Sequence, residues 1–125
     1  MQKSQVYVAY SSEFSKSSVA TLVSLLGSHE GLGQYNFFGY DNSEISSYDR
    51  ISLSPFVVAE VSHVSMGVGI ELGWADAIGK RIFAFYRSDV DIPQSVTHLR
   101  NVKLIPYSDV AEIPKLLSQS VYTVK

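Results

Sequence analysis

The sequence predicts an α/β protein, a three-layer domain around a five-stranded parallel sheet, and three observations carry that expectation. Short apolar runs rich in β-branched and aromatic residues recur five times along the 125 residues. Between them lie segments whose apolar residues return every three or four positions, the spacing of an amphipathic helix. The strand-like runs, FVVAEV (56–61) above all, are apolar at nearly every residue rather than at alternate ones. That pattern marks strands covered on both faces, and strands alternating with helices make a parallel sheet flanked by helix layers.

QVYVAY (5–10) reads as the first strand. After it, Val19, Leu22, Leu25 and Leu26 share one helical face, and Gly27 or Gly31 ends that helix. YNFFGY (35–40) is the second strand. The segment 41–54 opens with capping residues, carries Ile45 and Tyr48 on one face and stops at Pro55, so it predicts a short helix. FVVAEV is the third strand. Gly67 and Gly69 then soften a loop before a helix of roughly twelve residues closed by Gly79. RIFAFY (81–86) is the fourth strand, IPQSVTHLRN holds a helical turn, and VKLIPY (102–107) is the fifth strand. SDVAEIPKLLSQSV is the last helix, with Pro114 awkwardly near its start. Five strands in this succession predict the flavodoxin-like order 2-1-3-4-5, in which ligands settle beyond the C-terminal strand ends near the switch point between strands 1 and 3. Ser11 and Ser12, Asp41 and Asn42, Ser62 to Gly69, and Arg87 with Ser88 are the residues expected there.

The bulk numbers agree with one domain over residues 1–125. Hydrophobic residues make up 46% and charged residues 18%, the balance of a soluble globular chain. A net charge of −2 with no basic run argues against a nucleic-acid partner. The absence of cysteine removes disulfides, thiolate catalysis and sulfur-ligated metals. His29, His63 and His98 are too scattered to compose a metal site, so neither metal nor cofactor is expected. The first residues hold no apolar stretch of signal-peptide length, and no segment approaches the ~20 apolar residues of a spanning helix. A cytoplasmic protein with no membrane partner is the expectation. Its apolar, aromatic helix faces leave room for a homo-oligomer.

The chemistry concentrates in SMGVGIELGWADAIGKR (65–81). Gly67 and Gly69 free the backbone for positive φ, the helix they open offers unpaired N–H groups, and Ser65 adds a hydroxyl. Together these are the makings of an anion site. The G-x-G-x-x-x-G spacing departs from the dinucleotide fingerprint. Glu71 follows in what reads as the first helical turn, beside an apolar face of Ile70, Trp74, Ala77 and Ile78. The helix dipole favours its ionised form, and an ionised carboxylate in a crevice suits nucleophilic attack or charge stabilisation. The plainer reading is a glutamate that only complements the dipole. Glu60, near the end of the third strand, either orients something in the pocket or is a buried acid held by backbone N–H groups.

The segment FVVAEVSHVSMGVGIELGWADAIGKRIFAFYR (56–87) resembles the central signature of the nucleoside 2-deoxyribosyltransferase family, nearest its branch of 2′-deoxynucleoside 5′-monophosphate N-glycosidases. VYVAYSSEFS matches the family's first strand more loosely. The resemblance implies cleavage or transfer at the N-glycosidic bond of a nucleoside or nucleotide, with Glu71 as nucleophile and a second acid for the leaving base. Gapless alignment puts Ser47 where the family has that acid. Asp49, two positions on, is the choice, with Asp41 and Glu44 in reserve. The resemblance further implies Tyr7 near the sugar and Ser65 with Gly67 on a 5′-phosphate. Ser11, Ser12, Asp41 and Gly69 complete the expected substrate contacts, and relatives assemble as oligomers with shared sites. The loop after strand 1 departs from the pattern: Tyr10, Ser11, Ser12 and Glu13 stand where nucleotide-specific relatives carry Gly-Ser-Ile-Arg. A glutamate in place of that arginine disfavours a phosphate, and Lys16 is the cation that could offset it. Two other readings stay open: a binding or sensing module of the same fold without turnover, and a TIR-like domain using a helix-borne glutamate on NAD.

Overall fold

In the computed structural model, which describes residues 3–11, 16–39, 46–63 and 65–122, the chain alternates strands and helices throughout. It runs β1 (Ser4–Tyr10), α1 (Lys16–Ser28), β2 (Tyr35–Phe38), α2 (Ser47–Leu53) and β3 (Phe56–Glu60). It continues through α3 (Met66–Ala77), β4 (Arg81–Arg87), α4 (Gln94–Thr97), β5 (Val102–Tyr107) and α5 (Ile113–Val121). The five strands are all parallel, in the order β2-β1-β3-β4-β5, as the alternation predicts. Among the described residues no helix is long and apolar enough to cross a membrane.

Side chains alternate between two buried faces. Val6, Val8, Val58, Phe83, Phe85 and Ile105 pack on one face against Leu22 and Leu26 of α1 and Ile113 and Leu117 of α5. Tyr7, Ala9, Val57, Ala59, Ile82 and Ala84 pack on the other against Ile51 of α2 and Val68, Leu72 and Ala75 of α3. Every residue of β3 is buried, which explains its unbroken apolar sequence. Ala9, Ala59 and Ala84 stand side by side in register across β1, β3 and β4. Three methyl groups in a row leave a shallow floor, and α3 lies close upon it.

The helix ends follow from local chemistry. Ser46 and Ser65 cap α2 and α3 through their hydroxyls, which accept from the Asp49 and Val68 N–H groups. At the other end of α3, Gly79 takes φ +79°, its N–H reaches Asp76 O and the Lys80 N–H reaches Ala75 O. These paired bonds close a helix only where a residue accepts the left-handed conformation, hence glycine. Asp76 Oδ1 then accepts from the Arg100 and Asn101 N–H groups at 2.8 and 2.9 Å, tying the end of α3 to the loop before β5. Pro114 is no obstacle: α5 starts at Ile113, so the proline lies in the first turn, where its missing N–H has no intrahelical partner to lose.

The short helix expected within 41–54 is α2, capped by Ser46; residues 41–45 lie outside the described residues. One expectation is corrected: the apolar face expected on α3 (Ile70, Trp74, Ala77, Ile78) is exposed, and the buried residues are Val68, Leu72 and Ala75. The helix is apolar almost all round, so spacing alone offers two faces. The smaller one sits down on the alanine floor, where isoleucine and tryptophan would hold the helix away.

Candidate functional site

At the β1/β3 switch point the sheet meets the first two turns of α3, and a cleft of about 410 Å³ opens there. That is the size of a small-molecule site. Tyr7 and Tyr10 of β1, Ser47 of α2 and the Ser65 cap line it. Gly67, Val68, Ile70, Glu71 and Trp74 of α3 complete the wall.

Glu71 and Tyr7 are its chemical centre. Tyr7 points from β1 toward α3, buried to 1% exposure, and its Oη donates to Glu71 Oε2 at 2.6 Å. The tyrosine is itself held. Its ring meets Phe38 edge-on at 5.9 Å, and its backbone N–H donates to Ser54 Oγ, which donates to Arg50 O. Burial first, and then the carboxylate it serves, push the Tyr7 phenol well above the ordinary tyrosine range. The hydroxyl therefore remains a neutral donor throughout the biological pH range. The bond engages one carboxylate oxygen and fixes the direction of the other.

The structure changes the explanation of Glu71. Helix α3 starts at Met66, so Glu71 sits in the second turn, not the first, and the dipole's influence is already fading there. A specific donor 64 residues away in sequence holds the carboxylate instead. The glycines are also recast. Gly67 and Gly69 are helical, and among the described residues only Gly79 has positive φ. Gly67 leaves the first turn bare where it faces the cleft, while Gly69 is exposed and outside the lining. Ser65 spends one lone pair on the Val68 N–H, 3.3 Å away, and keeps its own proton to donate to a ligand.

The remaining expected residues divide. Ser11 is buried at 2% exposure and does not line the cleft; Ser12 and Asp41 lie outside the described residues, as do Glu13 and Glu44. Asp49 is exposed on α2, and the lining residue of that helix is Ser47. Residues two apart on a helix do not face the same way, so the two cannot share that position. Arg87 and Ser88 stand outside the lining, their N–H groups bonded to Ser62 Oγ and Tyr107 O. Glu60 is a buried acid on the opposite sheet face from Tyr7, held by one backbone N–H and two hydroxyls rather than by backbone N–H groups alone. Sequence reasoning missed Tyr10, Ser47, Ile70 and Trp74 as cleft residues. The gapless count that lands on Ser47 is the signal that could have found it. Trp74 meets Tyr48 edge-on at 5.4 Å, so one wall of the cleft is aromatic. Among the described residues no group of three or more His, Asp or Glu could hold a metal ion.

No protein-family model matches the chain. It is 44% identical over 62 residues to a 5-hydroxymethyl-dUMP N-hydrolase of Branchiostoma floridae, a match covering 48% of this chain and 59% of the relative. The chain thus spans less than two thirds of that relative's length. Among solved structures, a Clostridium botulinum CMP N-glycosidase superposes with TM-score 0.69 at 24% identity, covering 93% of this chain and 98% of that one. The Francisella novicida lysine decarboxylase LdcF superposes with TM-score 0.61 at 11% identity, over 97% of this chain but 17% of its own. The structural likenesses show the fold.

Proposed function

We propose, for a chain similar in sequence to a nucleotide N-hydrolase and in fold to a CMP N-glycosidase, both in the nucleoside 2-deoxyribosyltransferase-like family, that it cleaves or transfers at the N-glycosidic bond. The substrate is a (deoxy)nucleoside or its 5′-monophosphate. The observation that carries this reading is the Glu71 carboxylate, held by Tyr7 Oη at 2.6 Å on the wall of the cleft.

One Glu71 oxygen attacks C1′ of the sugar. The C1′–N bond breaks, and the base leaves with the electron pair and takes up a proton. A glycosyl ester remains on Glu71, and water or a second base attacks C1′ and restores the carboxylate. The ionised glutamate also stabilises the positive charge that develops on the sugar between these states. The proton for the base comes from the acidic residues that precede α2 in the sequence, Asp41 or Glu44. The Ser65 hydroxyl and the N–H groups of the first turn of α3 receive the 5′ end of the sugar. Ile70 and Trp74 offer the flat base an apolar wall.

Self-association belongs to the same reading. Met66, Ile70, Trp74 and Ile78 recur every fourth residue on the outer face of α3 and are all exposed, Met66 at 84%. A second copy covers this stripe beside the cleft. Light scattering then gives a multiple of the 13.8 kDa chain mass, and Trp74→Arg returns it to the monomer.

The activity is tested by incubating the protein with deoxynucleosides and their 5′-monophosphates and separating the products. Free base accumulates, together with the free sugar from a nucleoside or the sugar 5-phosphate from a monophosphate. A raised melting temperature without product would mark a sensor instead.

A further inference from the structure

We infer that Glu60, outside the cleft, is a positioning residue for it: it fixes the path of the chain from β3 into α3, and with it Ser65 and Gly67. Glu60 is the last residue of β3 and is 2% exposed. Its Oε1 accepts from the Ser62 N–H at 2.9 Å, and its Oε2 from the Ser62 hydroxyl at 2.8 Å. The Tyr107 hydroxyl at the end of β5 donates to the same Oε2. Ser62 Oγ in turn accepts from the Arg87 N–H at the end of β4, at 2.8 Å. Between them, the Val61 N–H reaches Phe85 O at 2.8 Å. The first two residues beyond β3 are therefore fastened to the end of β4, and Glu60 ties them onward to the end of β5, one strand further across the sheet. Ser65, the cap of α3, comes three residues later.

A buried carboxylate is costly unless donors surround it, and an apolar side chain would fill the same space without that cost. Here two of the donors belong to the loop residue Ser62 and the third to β5. The burial thus secures a loop geometry rather than core packing. Only a carboxylate accepts all three bonds at once; an amide keeps a single acceptor oxygen and forces the Ser62 and Tyr107 hydroxyls to give up donating to position 60. The kinetic consequence rests on the N-glycosidase reading; the mechanical one does not.

Glu60→Gln and Tyr107→Phe test the inference, read by amide hydrogen exchange and by steady-state kinetics. Tyr107→Phe keeps the ring and its burial, so it remains informative if Glu60→Gln folds poorly. In both variants, amides between Ser62 and Gly69 exchange roughly tenfold faster or more, while those of β1 and α5 keep their rates. KM rises roughly tenfold and kcat stays within about threefold, because the loop binds the sugar while Glu71 and Tyr7 stay paired. Unchanged loop exchange in both variants overturns the inference. So does an acceleration spread evenly over the sheet, or a fall in kcat at constant KM. If the wild-type chain releases no base from any nucleoside, the N-glycosidase reading fails and exchange alone decides the role of Glu60.

Discussion

Glu71→Gln stops base release, lowering kcat on the order of 10⁴-fold or more, while the chain keeps its fold. Glutamine has the shape of glutamate, and its carbonyl oxygen can still accept from Tyr7 Oη. What it lacks is an oxygen able to form the ester with C1′ and the charge that stabilises the cationic sugar. Position 71 is only partly buried on α3, so the change in folding stability stays within about 1 kcal/mol. Product chromatography and a thermal melt on the same sample separate the two effects. A glutamate that merely served the helix dipole would cost a few tenths of a kcal/mol when neutralised and leave turnover intact.

Tyr7→Phe lowers kcat about 10- to 100-fold with little change in KM, the kinetic equivalent of losing a hydrogen bond to a charged group. The ring stays in place, since its contact with Phe38 and the backbone bond to Ser54 do not involve the hydroxyl. Two effects oppose each other here. A donor withdraws charge from a nucleophile, so its removal makes Glu71 intrinsically more reactive. It also orients a side chain with three rotatable bonds, and freeing that chain scatters the carboxylate over many positions. Orientation wins, because attack at C1′ demands a reacting oxygen held near contact distance and in line. The pH profile gives a second check. The Tyr7 pKa is raised, so the phenol keeps its proton as pH climbs through the ordinary tyrosine range, and the wild type shows no loss of kcat there from its ionisation. A variant faster than wild type would mean that charge withdrawal dominates.

Most of the fold was legible because it rests on local signals. The two-sided apolar run of β3 and the glycine that ends α3 at position 79 act within a few residues, whereas Pro114 reads as awkward only because spacing does not place the start of α5 to the residue. The site was legible only in part, because its geometry is long-range. Spacing along α3 could not choose between the Val68–Leu72–Ala75 face and the Ile70–Trp74–Ile78 face. The alanine floor contributed by three other strand segments made that choice. It thereby turned Trp74 and Ile70 into cleft walls and brought Glu71 onto Tyr7. Position 47 shows the converse. The register of the resemblance lands on it, but a serine offers no acid there, and Asp49, the acid two positions on, stands exposed on the same helix.

The central claim is a covalent bond between one carboxylate and one sugar carbon. Acid quenching during turnover, followed by peptide mass analysis, tests it most directly. A glycosyl mass on the peptide containing Glu71, absent from Glu71→Gln, is the predicted result. The same mass on Asp49 or Glu60, or undiminished base release by Glu71→Gln, contradicts it.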